Sequence, residues 1–166
     1  LYWLFCPFGD ALGVCSQAYL PELLGTKERL ARTLQSRVAL ASASLGVGIG
    51  ALSLWVSRAA PHLFTRHAAV HAAMSAPAAW LGASMAAYIV SGALAGSLIA
   101  RRCLRPPAAP PVGNTAFALG ALVCAVRRPG FSLAAVWRIV TAVNVMRCVE
   151  FSALLVVATR RARAKA

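Results

Sequence analysis

The segment "VALASASLGVGIGALSLWVS", Val38 to Ser57, runs 20 residues between Arg37 and Arg58 without a charge. A helix of about 20 apolar residues, rising about 1.5 Å at each, crosses the hydrocarbon core of a bilayer. Residues 67 to 100 likewise hold no Asp, Glu, Lys or Arg. A helix is expected there over about 76–100, preceded by an interfacial piece. The stretch 131–158 predicts another long helix, interrupted by Arg138, Arg147 and Glu150, and residues 1–24 form a candidate span carrying Asp10 and Gln17. A fifth, shorter span is expected over 110–126, "PPVGNTAFALGALVCAV", where the prolines of "RPPAAPP" either open the helix or shorten it. The expected fold is therefore all-α: a polytopic membrane helical bundle of about five transmembrane helices.

Charge supports this reading. Only 13% of residues are charged and 60% are hydrophobic, whereas a soluble domain carries roughly a quarter charged residues. The net charge of +13 raises the question of nucleic acid. The basic residues, however, fall in short clusters between long uncharged runs, and aromatics do not interleave with them. Loops between spans explain the pattern better, and no nucleic-acid partner is expected. Five spans put Lys27, Arg29, Arg32, Arg37, Arg101, Arg102, Arg105, Arg160, Arg161, Arg163 and Lys165 on one side. Only Arg58, Arg66, Arg127 and Arg128 fall on the other. That bias assigns the richer side to the cytoplasm or a plastid stroma. Deleting the weak fourth span would send Arg160 to Lys165 across the membrane and spoil it.

The five cysteines (6, 15, 103, 124, 148) have no CxxC spacing, and four lie in apolar runs. They read as small buried hydrophobes, not as a disulfide framework or a zinc site. The opening "LYWLFCPFGD" has no Met and no basic n-region, so a cut edge is expected, with any targeting segment upstream. Gly46/Gly50 and Gly92/Gly96 stand at four-residue spacing, which permits close approach of helix backbones.

Five stretches in order resemble the C-terminal portion of multidrug and toxic compound extrusion (MATE) transporters, especially their plant and algal plastid branch. "DALGVCSQAYLPEL" (10–23) is similar to a late helix reading approximately "EPLSQTAQSFMPEL"; it keeps Gln17, Pro21, Glu22 and Leu23 and has Asp10 at the glutamate. "ARTLQSRVALASASLGVGIGALSL" resembles the family's basic loop and glycine-bearing ninth helix. "HLFTRHAAV" (62–70) looks like "LFTxDxxV", with His67 replacing the acid. "LAGSLIARRCLR" (94–105) is similar to "LEGTLLAGRDLR", although Ala95 and Cys103 replace its acids. "GFSLAAVWRIVTAVNVMRCVEF" resembles the last helix, with Trp137 and Arg147 matching and Asn144 where Gln is usual.

The resemblance implies helices eight to twelve of a twelve-helix, two-lobed transporter, most of one lobe, with seven N-terminal helices as the missing partner. It implies a secondary antiporter exporting an organic small molecule in exchange for protons or Na+, by alternating exposure of a midplane cavity. The membrane would be a chloroplast envelope, or otherwise a plasma or vacuolar membrane. The replacements at Ala95, His67 and Cys103 keep an alternative open: a membrane-embedded structural protein or degenerate pseudo-transporter without transport activity.

Within this frame the polar residues of the spans become candidates. Cys6, Asp10 and Gln17 fall on one helical face beside the small Gly13. An acid at membrane depth normally faces a bundle interior or a water-filled cavity, where it can bind a cation or exchange a proton. The bland reading is a hydrated acid at the interface. Thr141, Asn144, Arg147 and Glu150 follow at three-residue steps, each turning the helix by about 300°, and so form a slowly rotating polar ridge. Arg147 and Glu150 are expected to pair as a structural clamp, with direct substrate contact as the second reading. Arg138 is expected to snorkel to the interface. His67 and His71 are an i, i+4 pair with no acid or cysteine between 58 and 75; interfacial histidines are favoured over a metal site. "GVGIG" lacks the lysine of a phosphate loop, and a lone Asp with no strand-and-turn context argues against a Ser/His/Asp enzyme. Neither an enzyme nor a cofactor is expected.

Overall fold

The computed structural model describes residues 2–63, 66–101 and 105–163; of 105–111 and 161–163 only the backbone is described. Phe64 and Thr65 of the "LFT" element, Arg102, Cys103 and Lys165 lie outside the described residues. The described chain is an all-α helical bundle. Its helices are α1 (Tyr2–Leu23), α2 (Glu28–Ala59), α3 (Ala68–Ser75), α4 (Ala78–Ala100), α5 (Arg105–Val126) and α6 (Leu133–Arg163), with one 3-10 turn at Pro61–Leu63.

Three of them, α2, α4 and α6, are long and apolar enough to cross a membrane. In α1, Pro7, Asp10, Gln17 and Pro21 dilute the apolar character. In α5 only Val112–Val126 forms a sustained apolar stretch. The expected boundary at Val38 is corrected: α2 begins ten residues earlier, at Glu28, and carries the basic segment as helix. Nothing in "ERLARTLQSR" breaks a helix, and Glu28 in the first turn suits the positive end of the helix dipole. Likewise α5 begins at Arg105, so the prolines lie within its first two turns. The separate piece expected before α4 is the helix α3, and α6 runs on to Arg163.

Helix α4 is the hub. It packs against α1, α2 and α6, while α5 rests mainly on α6. Glycines set the two closest crossings. Gly50 and Gly82 face each other so tightly that a Cβ on either would stand 2.7 or 2.6 Å from the other's carbonyl oxygen. Gly96 sits against Gly13, and Gly92 against Gly9. Both expected glycine pairs thus lie at interfaces of α4. Without a hydrophobic drive between helices in lipid, such close van der Waals packing is what holds a bundle together. Met85 and Ile89 fill the core beside Cys6 and Ile49, and Phe151 and Leu155 close it against Leu98.

The contacts fix helix directions. Gly9 and Gly13 meet residues 89 to 96, and Thr141, Asn144 and Cys148 meet residues 80 to 87, so α1, α4 and α6 run parallel. Gly46 and Gly50 meet Ala86 and Gly82 in reverse order, so α2 runs against them. Asn114 of α5 reaches Glu150 while Ala121 and Cys124 lie by Ala135 and Ile139, so α5 also runs antiparallel to α6. Turns at Gly25 (φ 86°) and Gly130 (φ 84°) reverse the chain in left-handed conformations that favour glycine. This alternation gathers the basic segments at one end of the bundle, where Arg101 donates to Gln35 at 2.8 Å. Outward faces are apolar: Leu40, Val47 and Val149 are 70%, 68% and 64% exposed. A surface of that kind needs lipid or protein to cover it.

Of the cysteines, Cys6 is buried, Cys15 and Cys148 are half-buried, and Cys124 is exposed, contrary to the expectation for the last; all four are free thiols.

Candidate functional site

On α1 the buried stripe is Cys6, Gly9, Gly13, Ser16 and Leu20. It is small-residued because α4 presses against it. Asp10 and Gln17 therefore do not point into the core; both are exposed at the margin of this stripe. The expectation that one face carries Cys6, Asp10 and Gln17 into the interior is corrected for the last two. Asp10 nevertheless has a specific partner, the Tyr88 hydroxyl of α4, which donates to its carboxylate at 3.0 Å. Gln17 has no hydrogen-bond partner among the described residues.

From that bond a line of polar groups crosses the bundle. The Tyr88 ring meets the Tyr2 ring edge-on with centroids 5.7 Å apart, and Tyr2 lies 5.5 Å from Trp137. Asn144 donates to the Tyr2 hydroxyl at 3.4 Å and to Ser84 Oγ at 2.9 Å. Thr141 donates toward the carbonyls of Trp80 and Trp137, at 2.9 and 2.7 Å. Asp10 and Asn144, distant in sequence, thus belong to one cluster. Next to it a cavity of about 490 Å³ opens, lined by Tyr2, Trp3, Ser57, Met74, Leu81 and Trp137 among others. Its size falls in the usual range of small-molecule sites.

The ridge of α6 rotates as its spacing requires. Thr141 and Asn144 face α4, while Glu150 has turned toward α5 and accepts from the buried Asn114 at 2.8 Å. Arg147 stays between them, its guanidinium 5.8 Å over the Phe151 ring. Its Nε is buried and makes no hydrogen bond. The expected Arg147–Glu150 clamp is replaced by an Asn114–Glu150 clamp between α5 and α6. The change has a measurable consequence. Asn114→Leu is expected to destabilise the chain in detergent by about 1–3 kcal/mol, because the carboxylate loses its donor. Adding Glu150→Leu should restore most of the loss, whereas a cycle between Arg147 and Glu150 should be additive. Strong coupling in the second cycle and none in the first would reverse the assignment. Arg138 is exposed and lies over the Trp80 ring at 5.4 Å, as an interfacial cation does.

Sequence reasoning missed Tyr2, Tyr88, Ser84 and Asn114. The signal for the tyrosines was present: a phenol inside an apolar helix needs a hydrogen-bond partner. Comparison with protein-family models, curated proteins and solved structures returns no match to this chain.

Proposed function

We propose that the chain is a membrane-embedded part of a secondary antiporter of the MATE kind, exporting an organic small molecule in exchange for H+ or Na+. The observation that carries this reading is the Asp10–Tyr88 pair, whose Tyr88 ring packs edge-on against Tyr2, which with Trp137 walls the open cavity. Aromatic walls with a carboxylate one residue behind them suit an organic cation: the ring faces supply cation–π contact and the charge adds Coulombic attraction. The same carboxylate can hold the coupling cation instead, and that competition is the core of an antiport cycle. Asn144 and Ser84 hold Tyr2 in place, and the free edge of Arg147 repels a second cation from the neighbouring position.

Five spans, with α1 and α5 joining the three longer helices, fit the alternation of helix directions and the collection of basic segments at one end. Alternating access needs a second lobe, which seven further helices upstream would supply. The alternative, a structural membrane subunit without transport, draws on the replacements at Ala95, His67 and Cys103.

Proteoliposomes test both halves of the proposal. In a cysteine-free background, single cysteines at the exposed Leu63 and at Ala166 are expected to label from opposite sides of the membrane. If the proposal holds, the chain extended by the seven upstream helices it calls for should expel a fluorescent organic cation when a proton or Na+ gradient is imposed, and the 166-residue chain alone should not. Labelling from one side would remove the five-span topology, and robust efflux by the short chain would remove the half-transporter reading.

A further inference from the structure

Helices α2 and α6 both pack on α4 and far less on each other, and the gap between them at the basic end is a groove of about 360 Å³. Leu94, Leu155 and Val156 make its apolar wall, and Gln35, Thr159 and Arg160 stand at its basic end. From Leu94 to Arg101 on α4 the helix rises about 10 Å, so the groove is deep enough for the first part of an acyl chain. A small adjoining cavity shares Thr159 and is lined by Arg32, Arg101 and Glu28. Arg101 is oriented there by its bond to Gln35. Among the described residues Glu28 is the one acid on this lining, against Arg32, Arg101 and Arg160.

We infer that this groove is a binding site for one anionic phospholipid, its phosphate held among Arg32, Arg101 and Arg160 and one acyl chain laid along Leu94, Leu155 and Val156. The inference rests on the membrane half of the proposed function and not on transport. Charge complementarity selects the occupant. Basic pockets between helices at the positive face of a membrane protein suit anionic headgroups, whereas the ammonium of a zwitterionic lipid is repelled by three guanidinium groups and offsets what its phosphate gains. The apolar wall excludes a free anion as the preferred guest, because a phosphate leaves that surface uncovered. The groove lies at the opposite end of the bundle from the aromatic cavity, so the lipid would brace α2 against α6 without entering the candidate transport site.

The test uses the purified 166-residue chain in maltoside micelles. Phosphatidylglycerol or phosphatidylcholine with identical acyl chains is added, and retained lipid is counted by native mass spectrometry. One phosphatidylglycerol per chain is expected, retained about tenfold better than phosphatidylcholine. Arg32→Gln and Arg160→Gln should each weaken retention about fivefold. Val156→Trp should abolish it by filling the groove; Val156 is exposed, so the helix keeps its fold, which circular dichroism verifies. Arg29→Gln, at the same end but off the lining, should change nothing. Equal retention of the two lipids, or equal damage from Arg29→Gln, would reduce the basic end to diffuse surface charge and overturn the site. Displacement of the lipid by equimolar inorganic phosphate would overturn it as well. Alkaline extraction of the membranes separates the two readings. A chain that resists extraction yet shows no lipid preference loses only this inference, whereas an extracted chain loses the membrane reading too.

Discussion

Gly82→Val is expected to part α2 from α4 and unfold the bundle in mild detergent, while Gly48→Val leaves it intact. The difference lies in what a new side chain meets. At Gly82 a Cβ would stand 2.6 Å from the Gly50 carbonyl oxygen, and at Gly48 nothing lies within 4 Å. A backbone oxygen cannot rotate away as a side chain can, so the helices themselves must separate. Overpacking of a tight core costs about 1–3 kcal/mol and sometimes more. Here the separation also loosens Gly46 from Ala86, one turn along the same interface. Valine has the same intrinsic helix preference at both positions, so the control removes that contribution. Gly96→Val, which drives a side chain into Gly13, should be as damaging on the α1 side. Thermal unfolding followed by circular dichroism measures the contrast. Equal stability of the Gly48 and Gly82 variants would show that the glycine contact does not hold α2 on α4.

Much of this architecture could be read in advance because long apolar helices obey simple rules of length and charge. Val38 to Ser57 had to be a helix, and Gly46, Gly50, Gly92 and Gly96 marked where neighbours could approach. What failed was the use of charge to find helix ends. Arg37 marks the edge of the apolar run, but the backbone of α2 stays helical back to Glu28, since charged residues exposed to water are compatible with a helix. Polar partnerships were less legible, because they join distant parts of the chain. Arg147 lies three residues from Glu150, yet each three-residue step rotates the ridge by about 60° and carries Glu150 round to α5. Asn114, an unremarked amide in a short apolar helix, meets it there. The face of α1 was misjudged for a related reason. Spacing groups Asp10 with Cys6, but the tight crossing at Gly9 and Gly13 centres the interface on the small residues and leaves the carboxylate at its margin. Only the fold brings Tyr88, 78 positions away, to that margin.

The Asp10–Tyr88 bond gives the transport proposal its sharpest consequence. In the extended, two-lobed chain that the proposal calls for, Asp10→Asn is expected to reduce gradient-driven efflux of an organic cation to background and to remove its dependence on pH. The amide keeps the shape of the side chain and still accepts from the Tyr88 hydroxyl, so folding and membrane level should stay near normal. What it lacks is the negative charge that attracts both the substrate and the coupling cation. Tyr88→Phe separates charge from orientation. It leaves the carboxylate in place but deletes the donor that aims it, so efflux should persist with weaker apparent affinity for the substrate and a retained pH response. Arg147→Met tests the other side of the cluster: with no partner for Nε, its loss should leave stability little changed and relax discrimination against doubly charged cations. These variants make different demands on the site. If Asp10→Asn transports normally, the carboxylate is an interfacial acid and the antiport proposal loses its main support. If Tyr88→Phe instead equals Asp10→Asn in severity, the phenol itself takes part in binding, and the site is a carboxylate–phenol pair and not a lone charge.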